Sequence, residues 1–161
     1  MLLLTFYLGD ERYALEGSRI VEVIPMVTLR RLPHAPDHVA GLFNYRGGVV
    51  PVIELSQLIQ GRPCHPCLST RIILVTCVSP RDQASHTLGL MAERVTETIQ
   101  KSKADLVSSG IAVKEAPYLG EIILDAEGMI QCVHLEHLLP ESLSDALFHG
   151  QAEQALGADG H

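Results

Sequence analysis

No segment of the sequence is typical of a membrane span. No stretch reaches the roughly 18 to 20 uninterrupted apolar residues that a helix needs to cross a bilayer. The apolar start, residues 1–4, is interrupted at Thr5 and has neither a basic lead nor a small-residue cleavage site. These absences predict a cytoplasmic protein without direct membrane insertion.

Basic residues are scarce and are not clustered. Lys and Arg number 12 against 19 Asp and Glu, which gives a net charge of −7. Because binding to a phosphate backbone needs clustered Lys and Arg, this composition excludes a nucleic-acid partner. At 161 residues, the chain has the length of one typical domain or of two small linked ones.

The motifs of the common catalytic sites are missing as well. The sequence contains no Ser-centred nucleophile elbow, no Walker loop and no dinucleotide fingerprint. Its eight histidines are scattered, and the pair with helical i, i+4 spacing, His34 and His38, flanks Pro36, which disfavours a regular helix. We therefore predict a protein that is not an enzyme and holds no cofactor.

The four cysteines leave one alternative open. A cytoplasmic chain keeps its thiols reduced, which favours free cysteines. Cys64-His65-Pro66-Cys67 nevertheless has the C-x2-C spacing that supplies half of a structural zinc site, although neither Cys77 nor Cys132 belongs to a second such pair. The motif is either an inert linker or a metal or redox module centred on Cys64 and Cys67.

Apolar runs of four to eight residues between Gly, Pro and Asp predict short strands. The predicted strands are residues 2–8, 12–16, 20–25, 40–46, 49–54, 71–78, 87–99, 119–124 and 129–133. Two short helices are predicted at residues 54–60 and 134–139, before Gly61 and Pro140. The predicted fold class is therefore all-β with a few short helices. Residues 141–161 are expected to form a helix end and a flexible tail.

Residues 41–55 predict a β-hairpin. Gly47 and Gly48 supply the positive φ values that a two-residue turn requires. Pro51 predicts that the second strand lies at an edge, is bulged, or faces solvent at that position. Alternation sorts the side chains of the first strand into two faces. One face carries Leu42, Asn44 and Arg46, and the other carries Gly41, Phe43 and Tyr45.

The same stretch resembles a family signature. Residues 44–55, NYRGGVVPVIEL, match the pattern N-x-R-G-x-x-V-P-V-[IV]-[DE]-L of the CheW-like domain, the adaptor of bacterial chemosensory arrays. Further likenesses in residues 6–15, 20–24, 32–36, 88–95 and 118–121 extend the resemblance to roughly residues 2–140. Residues 48–55 also echo residues 128–135, which suggests two similar halves.

The resemblance implies the architecture of the family, two SH3-like five-stranded β-barrels that pack together. We expect one CheW-like domain in residues 1–140, with one half at about residues 17–63 plus a late strand and the other half in the remainder.

Glu22 and Arg46 are the first candidates for partner binding. Glu22 shares a strand face with Ile20 and Ile24, and a carboxylate among apolar neighbours needs a partner. The family pairs it with Arg46, whose planar guanidinium can meet a carboxylate through two parallel hydrogen bonds. The pair either only stabilises its barrel or also presents Arg46 to a receptor tip.

Four further residues have two interpretations. Asn44 bonds the backbone at the base of the hairpin or contacts a partner. Ile20, Ile24 and Val95 are ordinary core residues or, as the resemblance implies, line an apolar groove that accepts the helical tip of a receptor. Tyr45 stands where the family usually has an aliphatic residue, and its hydroxyl must reach water or a partner.

Two classes of function follow. The first is a non-enzymatic adaptor that couples a chemoreceptor tip to a CheA-type histidine kinase, either for chemotaxis or for surface attachment controlled by a second messenger. The resemblance implies docking of the kinase regulatory domain through apolar strand residues of the second half, recruitment to membrane-associated arrays and weak self-association at strand edges. The second class is the metal or redox module at Cys64 and Cys67.

Overall fold

Strands dominate the part of the chain that the structure describes. The structure is a computed structural model and describes residues 1–64, 68–78 and 83–139. The strands are β1 (Leu2–Leu8), β2 (Glu11–Glu16), β3 (Ile20–Pro25), β4 (Val39–Tyr45), β5 (Gly48–Glu54), β6 (Arg71–Val78), β7 (Ser85–Gln100), β8 (Leu106–Val107), β9 (Leu119–Asp125) and β10 (Gly128–Val133). Short helical segments lie at Gly17–Arg19, Ser56–Gln60, Lys103–Asp105 and Leu135–His137. The predicted all-β class is confirmed.

The long strand β7 belongs to both of the two SH3-like barrels. Its first half, up to Ala92, pairs with β6 and β5, and with β3 and β4 these strands form the first barrel. Its second half, from Glu93, pairs with β1, and the second barrel continues through β2, β10 and β9, with the short β8 at its edge. One strand therefore connects the two barrels covalently and through backbone hydrogen bonds.

Arg94 lies where β7 passes from one barrel to the other. Its φ of 41° falls in the left-handed region that L-residues avoid. Its backbone N–H donates to the Ser69 carbonyl at 3.1 Å, and its guanidinium donates to the Gly9 carbonyl at 2.6 Å. The guanidinium also lies 4.1 Å from the centre of the Tyr7 ring. These contacts offset the strain and fix the direction in which β7 enters the second barrel.

The described residues form three apolar clusters. The interior of each barrel contains one, and the third and largest draws residues from the strands of both barrels, so it packs the barrels on each other. Strand β6 serves two clusters, because Ile72 and Leu74 lie in the first-barrel core while Ile73 and Val75 lie in the shared core. Each fully buried aliphatic side chain contributes about 1.5–3 kcal/mol through its removal from water.

All nine predicted strands are present, with ends that differ by at most two residues. The additional strand β8 has only two residues, too few to leave a periodic pattern. The first predicted helix is a single five-residue segment that ends at Gly61, and the second is one turn at Leu135–His137. The prediction for residues 141–161 falls outside the described residues.

The turn of the β4–β5 hairpin differs from the prediction. Tyr45 pairs with Gly48, so the two turn residues are Arg46 and Gly47, with φ values of 51° and 88°. Two positive φ values are typical of the two-residue turns that match the twist of antiparallel strands. The predicted Gly47-Gly48 turn is therefore wrong by one position. Because Arg46 leaves the strand, it no longer shares a strand face with Asn44 and Leu42.

Of the three alternatives predicted for β5 at Pro51, exposure to solvent is wrong. Pro51 is buried, and from Val52 onward β5 lies between β4 and β7. Leu42, opposite Pro51, exchanges both of its backbone hydrogen bonds with Arg30 at 2.8 Å. The Leu42 carbonyl therefore needs no N–H donor from position 51. Proline at this position removes no hydrogen bond between β4 and β5.

Candidate partner-binding site

Three side chains meet where the tip of the β4–β5 hairpin approaches β3. The Tyr45 hydroxyl donates to Glu22 Oε2, and Arg46 Nη2 lies 3.5 Å from the same oxygen. The predicted pairing of Glu22 with Arg46 is thus present as a long and open contact, with 78% of the Arg46 side chain and 41% of the Glu22 side chain exposed. The prediction that the Glu22 carboxylate needs a partner is confirmed, although solvent also reaches this carboxylate.

Tyr45 is the residue whose approach to Glu22 and Arg46 the alternation of the strand did not predict. Alternation placed it on the face opposite Arg46, but the turn at Arg46 brings both side chains to Glu22. Its ring lies under the Arg46 guanidinium at 5.0 Å and stacks on Phe43 at 6.3 Å between ring centres. The hydrogen bond to the Glu22 carboxylate raises the pKa of the Tyr45 hydroxyl. The stacked rings of Phe43 and Tyr45 therefore orient the Tyr45 hydroxyl and the Arg46 guanidinium toward Glu22.

Asn44 shapes the turn itself. Its side-chain oxygen accepts a hydrogen bond from the backbone N–H of Gly47 at 2.9 Å. This confirms the interpretation that Asn44 bonds the backbone at the base of the hairpin. The bond supports the positive φ of Arg46, so Asn44 holds the residue that carries the exposed guanidinium.

The aliphatic candidates are partly buried. Ile20 and Val95 pack against the shared core, and Ile24 packs against the first-barrel core. The register between β3 and β6 shifts between Ile20 and Glu22, which is why Ile20 and Ile24 reach different clusters although alternation placed them on one face. Val21 and Val23, between them on β3, are exposed.

Cys64 has the environment of an inert thiol. It is buried, its Sγ donates to Glu93 Oε1 at 3.2 Å, and its backbone N–H donates to Glu54. Burial, with a smaller contribution from Glu93, raises its pKa to about 12, so the thiol stays protonated and is a poor nucleophile and metal ligand. Cys67 lies outside the described residues. Among residues 1–64, 68–78 and 83–139, no three His, Cys, Asp or Glu side chains form a group that could hold a metal ion.

Within those same ranges, the helices are too short or too polar to span a bilayer.

The sequence was also compared with known protein families. The model of the CheW-like domain matches residues 2–143, nearly nine-tenths of the chain. The chain belongs to the CheW-like domain family. The resemblance of the hairpin motif to this family is confirmed.

Individual CheW proteins are similar over different lengths. The chemotaxis protein CheW of Helicobacter pylori is 32% identical over 101 residues, which cover 63% of this chain and 58% of that protein. The chain therefore matches less than two-thirds of the length of that relative. The chemotaxis protein CheW of Rhizobium meliloti is 25% identical over 146 residues, which cover 89% of this chain and 90% of that protein.

A solved structure supports the fold. The crystal structure of the scaffolding protein TtCheW from Thermoanaerobacter tengcongensis superposes with a TM-score of 0.75 at 23% identity, covering 86% of this chain and 87% of that one. At this identity the similarity shows the fold alone. It agrees with the two barrels described above for this chain.

Proposed function

We propose that this CheW-like chain is a non-enzymatic adaptor that couples the cytoplasmic tip of a chemoreceptor to the regulatory domain of a CheA-type histidine kinase. It acts in a chemosensory array at the membrane, and its residues 1–140 form the coupling domain. Family membership supports this class of function, and the exposed cluster of Glu22, Tyr45 and Arg46 is the observation that supports a receptor contact on the first barrel.

The geometry of Arg46 supports a role in binding. A guanidinium has five N–H donors, and the contact to Glu22 engages one nitrogen at a long distance. The remaining donors point to solvent on a side chain that Tyr45 and Glu22 already orient, so a partner gains charged hydrogen bonds without ordering a free side chain. Arg46 and Glu22 are therefore the proposed polar contacts, and Asn44 supports them through the turn.

Apolar contacts complete the proposed receptor site. Ile20, Ile24 and Val95 are partly buried, so each keeps some exposed surface, and together they line the proposed receptor groove. Helical partners commonly place apolar anchors in such grooves. On β3, the exposed Val21 and Val23 extend the apolar surface next to Glu22.

The proposed kinase contact uses the second barrel. Val107 on β8, together with Ile111 and Val113 in the segment that follows, exposes apolar surface at the edge of the sheet. Strand edges with apolar side chains are suited to docking another barrel. Weak self-association through the same kind of edge is part of this proposal.

The experiment is a calorimetric titration of the purified chain with a soluble fragment of a chemoreceptor tip and, separately, with the kinase regulatory domain. The variant Arg46→Ala should weaken receptor binding at least about tenfold, the loss expected for a charged contact at an interface centre. Kinase binding should stay within about twofold of the unsubstituted chain, because the two contacts lie on different barrels.

Lys103→Ala is the matched control, since it removes one exposed positive charge from the second barrel. It should leave receptor binding unchanged. If both substitutions weakened receptor binding equally, Arg46 would contribute only through the net charge of the protein. If the unsubstituted chain bound neither the receptor tip nor the kinase domain, the proposed adaptor function would be wrong.

A further inference from the structure

A groove on the second barrel shares no residue with the proposed receptor and kinase contacts. It has a volume of about 580 Å³ and lies between the β1–β2 hairpin, the Ser56–Gln60 segment and the outer face of β9 and β10. This size is within the range of about 300–1,000 Å³ that is usual for binding clefts.

One part of the groove wall is apolar. Ile59, Leu119, Ile122 and Met129 line it together with the ring of Tyr13. The register of the hairpin puts Met129 opposite Leu124, on the same face as Ile122 and Gln131. Met129 is 66% exposed and Leu124 is 60% exposed, so a directly paired apolar surface extends from the groove into solvent.

Three neutral polar side chains of the wall donate hydrogen bonds within the protein. Gln131 Nε2 donates to the Gly120 carbonyl at 2.7 Å, and Gln60 Nε2 donates to the Leu8 carbonyl at 2.9 Å. The Tyr13 hydroxyl donates to Glu11 Oε2 at 3.0 Å. These groups therefore do not compete with an apolar occupant for hydrogen bonds.

The rim of the groove is acidic. Glu11 accepts its hydrogen bonds from two neutral groups, the Tyr13 hydroxyl and the Gln60 amide. Asp10 is fully exposed, with Arg94 at 4.0 Å. The cation that lines the groove, Arg12, is held by Asp125 at 2.9 Å and by Glu127 at 3.7 Å. The lining side chains include three carboxylates, those of Asp10, Glu11 and Glu127, against this one guanidinium, so an occupant of the groove meets a net negative charge.

We propose that this groove binds a short apolar segment of a partner protein that is flanked by Lys or Arg side chains. Apolar side chains of such a segment contact Ile122, Met129 and Tyr13, and the flanking cations face Asp10 and Glu11. Burial supplies the affinity and the acidic rim fixes the orientation.

Charge argues against two other occupants. Residues 140–161 of this chain contain four carboxylates and no Lys or Arg, so they carry the wrong sign for the rim. A second copy of the chain carries a net charge of −7 and meets the same repulsion.

The test uses the full chain labelled with ¹⁵N and a synthetic amphipathic peptide of Leu and Lys, with a peptide of Leu and Glu as its counterpart. Addition of the Leu/Lys peptide should shift the amide resonances of β9, β10 and the β1–β2 turn. The double variant Asp10→Asn/Glu11→Gln should weaken binding about tenfold, and the loss should shrink at high salt.

Two controls make the experiment specific. Glu97→Gln/Glu115→Gln removes the same net charge from exposed positions outside the groove and should leave the affinity within about twofold. Met129→Ser should weaken binding at least about threefold, whereas Leu2→Ser, which shortens another exposed apolar side chain, should not.

Other results would overturn the proposal. Equal losses in the two double variants would mean that only net charge matters. Binding of the Leu/Glu peptide, or competition by a peptide of residues 140–161, would assign the groove to an acidic segment. Concentration-dependent dimerisation that Met129→Ser abolishes would assign it to a second copy. Receptor and kinase binding should be unchanged in all these variants, so failure here is distinguishable from failure of the adaptor function.

Discussion

Two pairs of Arg and carboxylate side chains, one in each barrel, differ in their exposure to solvent. In the second barrel, Arg12 of β2 lies 2.9 Å from Asp125 at the end of β9, with side chains 9% and 21% exposed. In the first barrel, Arg46 and Glu22 are separated by 3.5 Å, with side chains 78% and 41% exposed. The same two chemical groups thus occupy a nearly buried and an exposed setting.

This difference in exposure distinguishes a pair that stabilises the fold from a pair whose arginine is accessible to a partner. Removing one partner of a buried pair leaves an unpaired charge in a poorly solvated place, which is costly. An exposed pair contributes between about 0 and 1 kcal/mol, because water and salt screen it. Arg12 is therefore expected to act in folding, and Arg46 in binding.

The largest effect on stability is expected from Arg12→Ala. The variant should lower the free energy of unfolding by about 2 kcal/mol, the typical value of a hydrogen bond to a charged group. Arg46→Ala should lower it by less than about 0.5 kcal/mol. Urea unfolding followed by circular dichroism measures both. Equal losses in the two variants would contradict the distinction between the pairs.

Acid should reveal the same buried pair. The hydrogen bond from Arg12 lowers the pKa of Asp125 below the ordinary value of 3.8. A depressed folded-state pKa means that the stabilisation is complete above the unfolded-state pKa and is lost as the pH falls through the folded-state pKa. The stability difference between the unsubstituted chain and Asp125→Asn should therefore be constant from about pH 7 to about pH 5 and then shrink.

Unfolding by urea at several pH values checks this expectation. The variant Glu22→Gln serves for comparison, since its pair is exposed and should contribute little at any of these pH values. A stability difference for Asp125→Asn that persists unchanged in strong acid would show that the amide perturbs packing and not charge.

A smaller effect is expected when the side chain and the backbone of Arg46 are tested separately. Its φ of 51° is strained for any residue except glycine, so Arg46→Gly should be more stable than Arg46→Ala by about 0.5–1 kcal/mol. Both variants lack the guanidinium and should bind the receptor tip equally weakly. Binding that follows stability across the two variants would mean that Arg46 acts through the fold.

The sequence predicted the strands well, because β1 to β7, β9 and β10 carry the apolar runs and punctuation of short strands. The position of the hairpin turn could not be predicted from the Gly47-Gly48 pair. Strand β5 is held by β7 on its other side, and β4 is held by Arg30, so tertiary contacts set the register and Arg46 accepts the positive φ.

The same contacts explain which part of the candidate site was missed. Pairing of Glu22 with Arg46 followed from the resemblance, and the backbone role of Asn44 followed from turn chemistry. The contribution of Tyr45 depends on the turn residue after it, which redirects Arg46 over the ring. A one-residue difference in turn position therefore changes which side chains converge, and periodicity along a single strand carries no information about it.

The smallest effect concerns the Tyr45 hydroxyl. Its hydrogen bond to Glu22 raises the pKa of Tyr45 above the ordinary value of 10, so the bond stabilises the fold below that value and is lost as the pH rises through the folded-state pKa. Glu22→Ala should return the Tyr45 pKa toward 10, measured from the ultraviolet absorbance of phenolate, with Tyr45→Phe to assign the transition. Burial raises the pKa of Tyr13 to about 12, and that transition should not move. If the pKa of Tyr45 were also unchanged in Glu22→Ala, the Tyr45 hydroxyl and the Glu22 carboxylate would not be hydrogen-bonded in solution. Tyr45 would then not orient Arg46 and Glu22, and Arg46 would resemble any other exposed arginine.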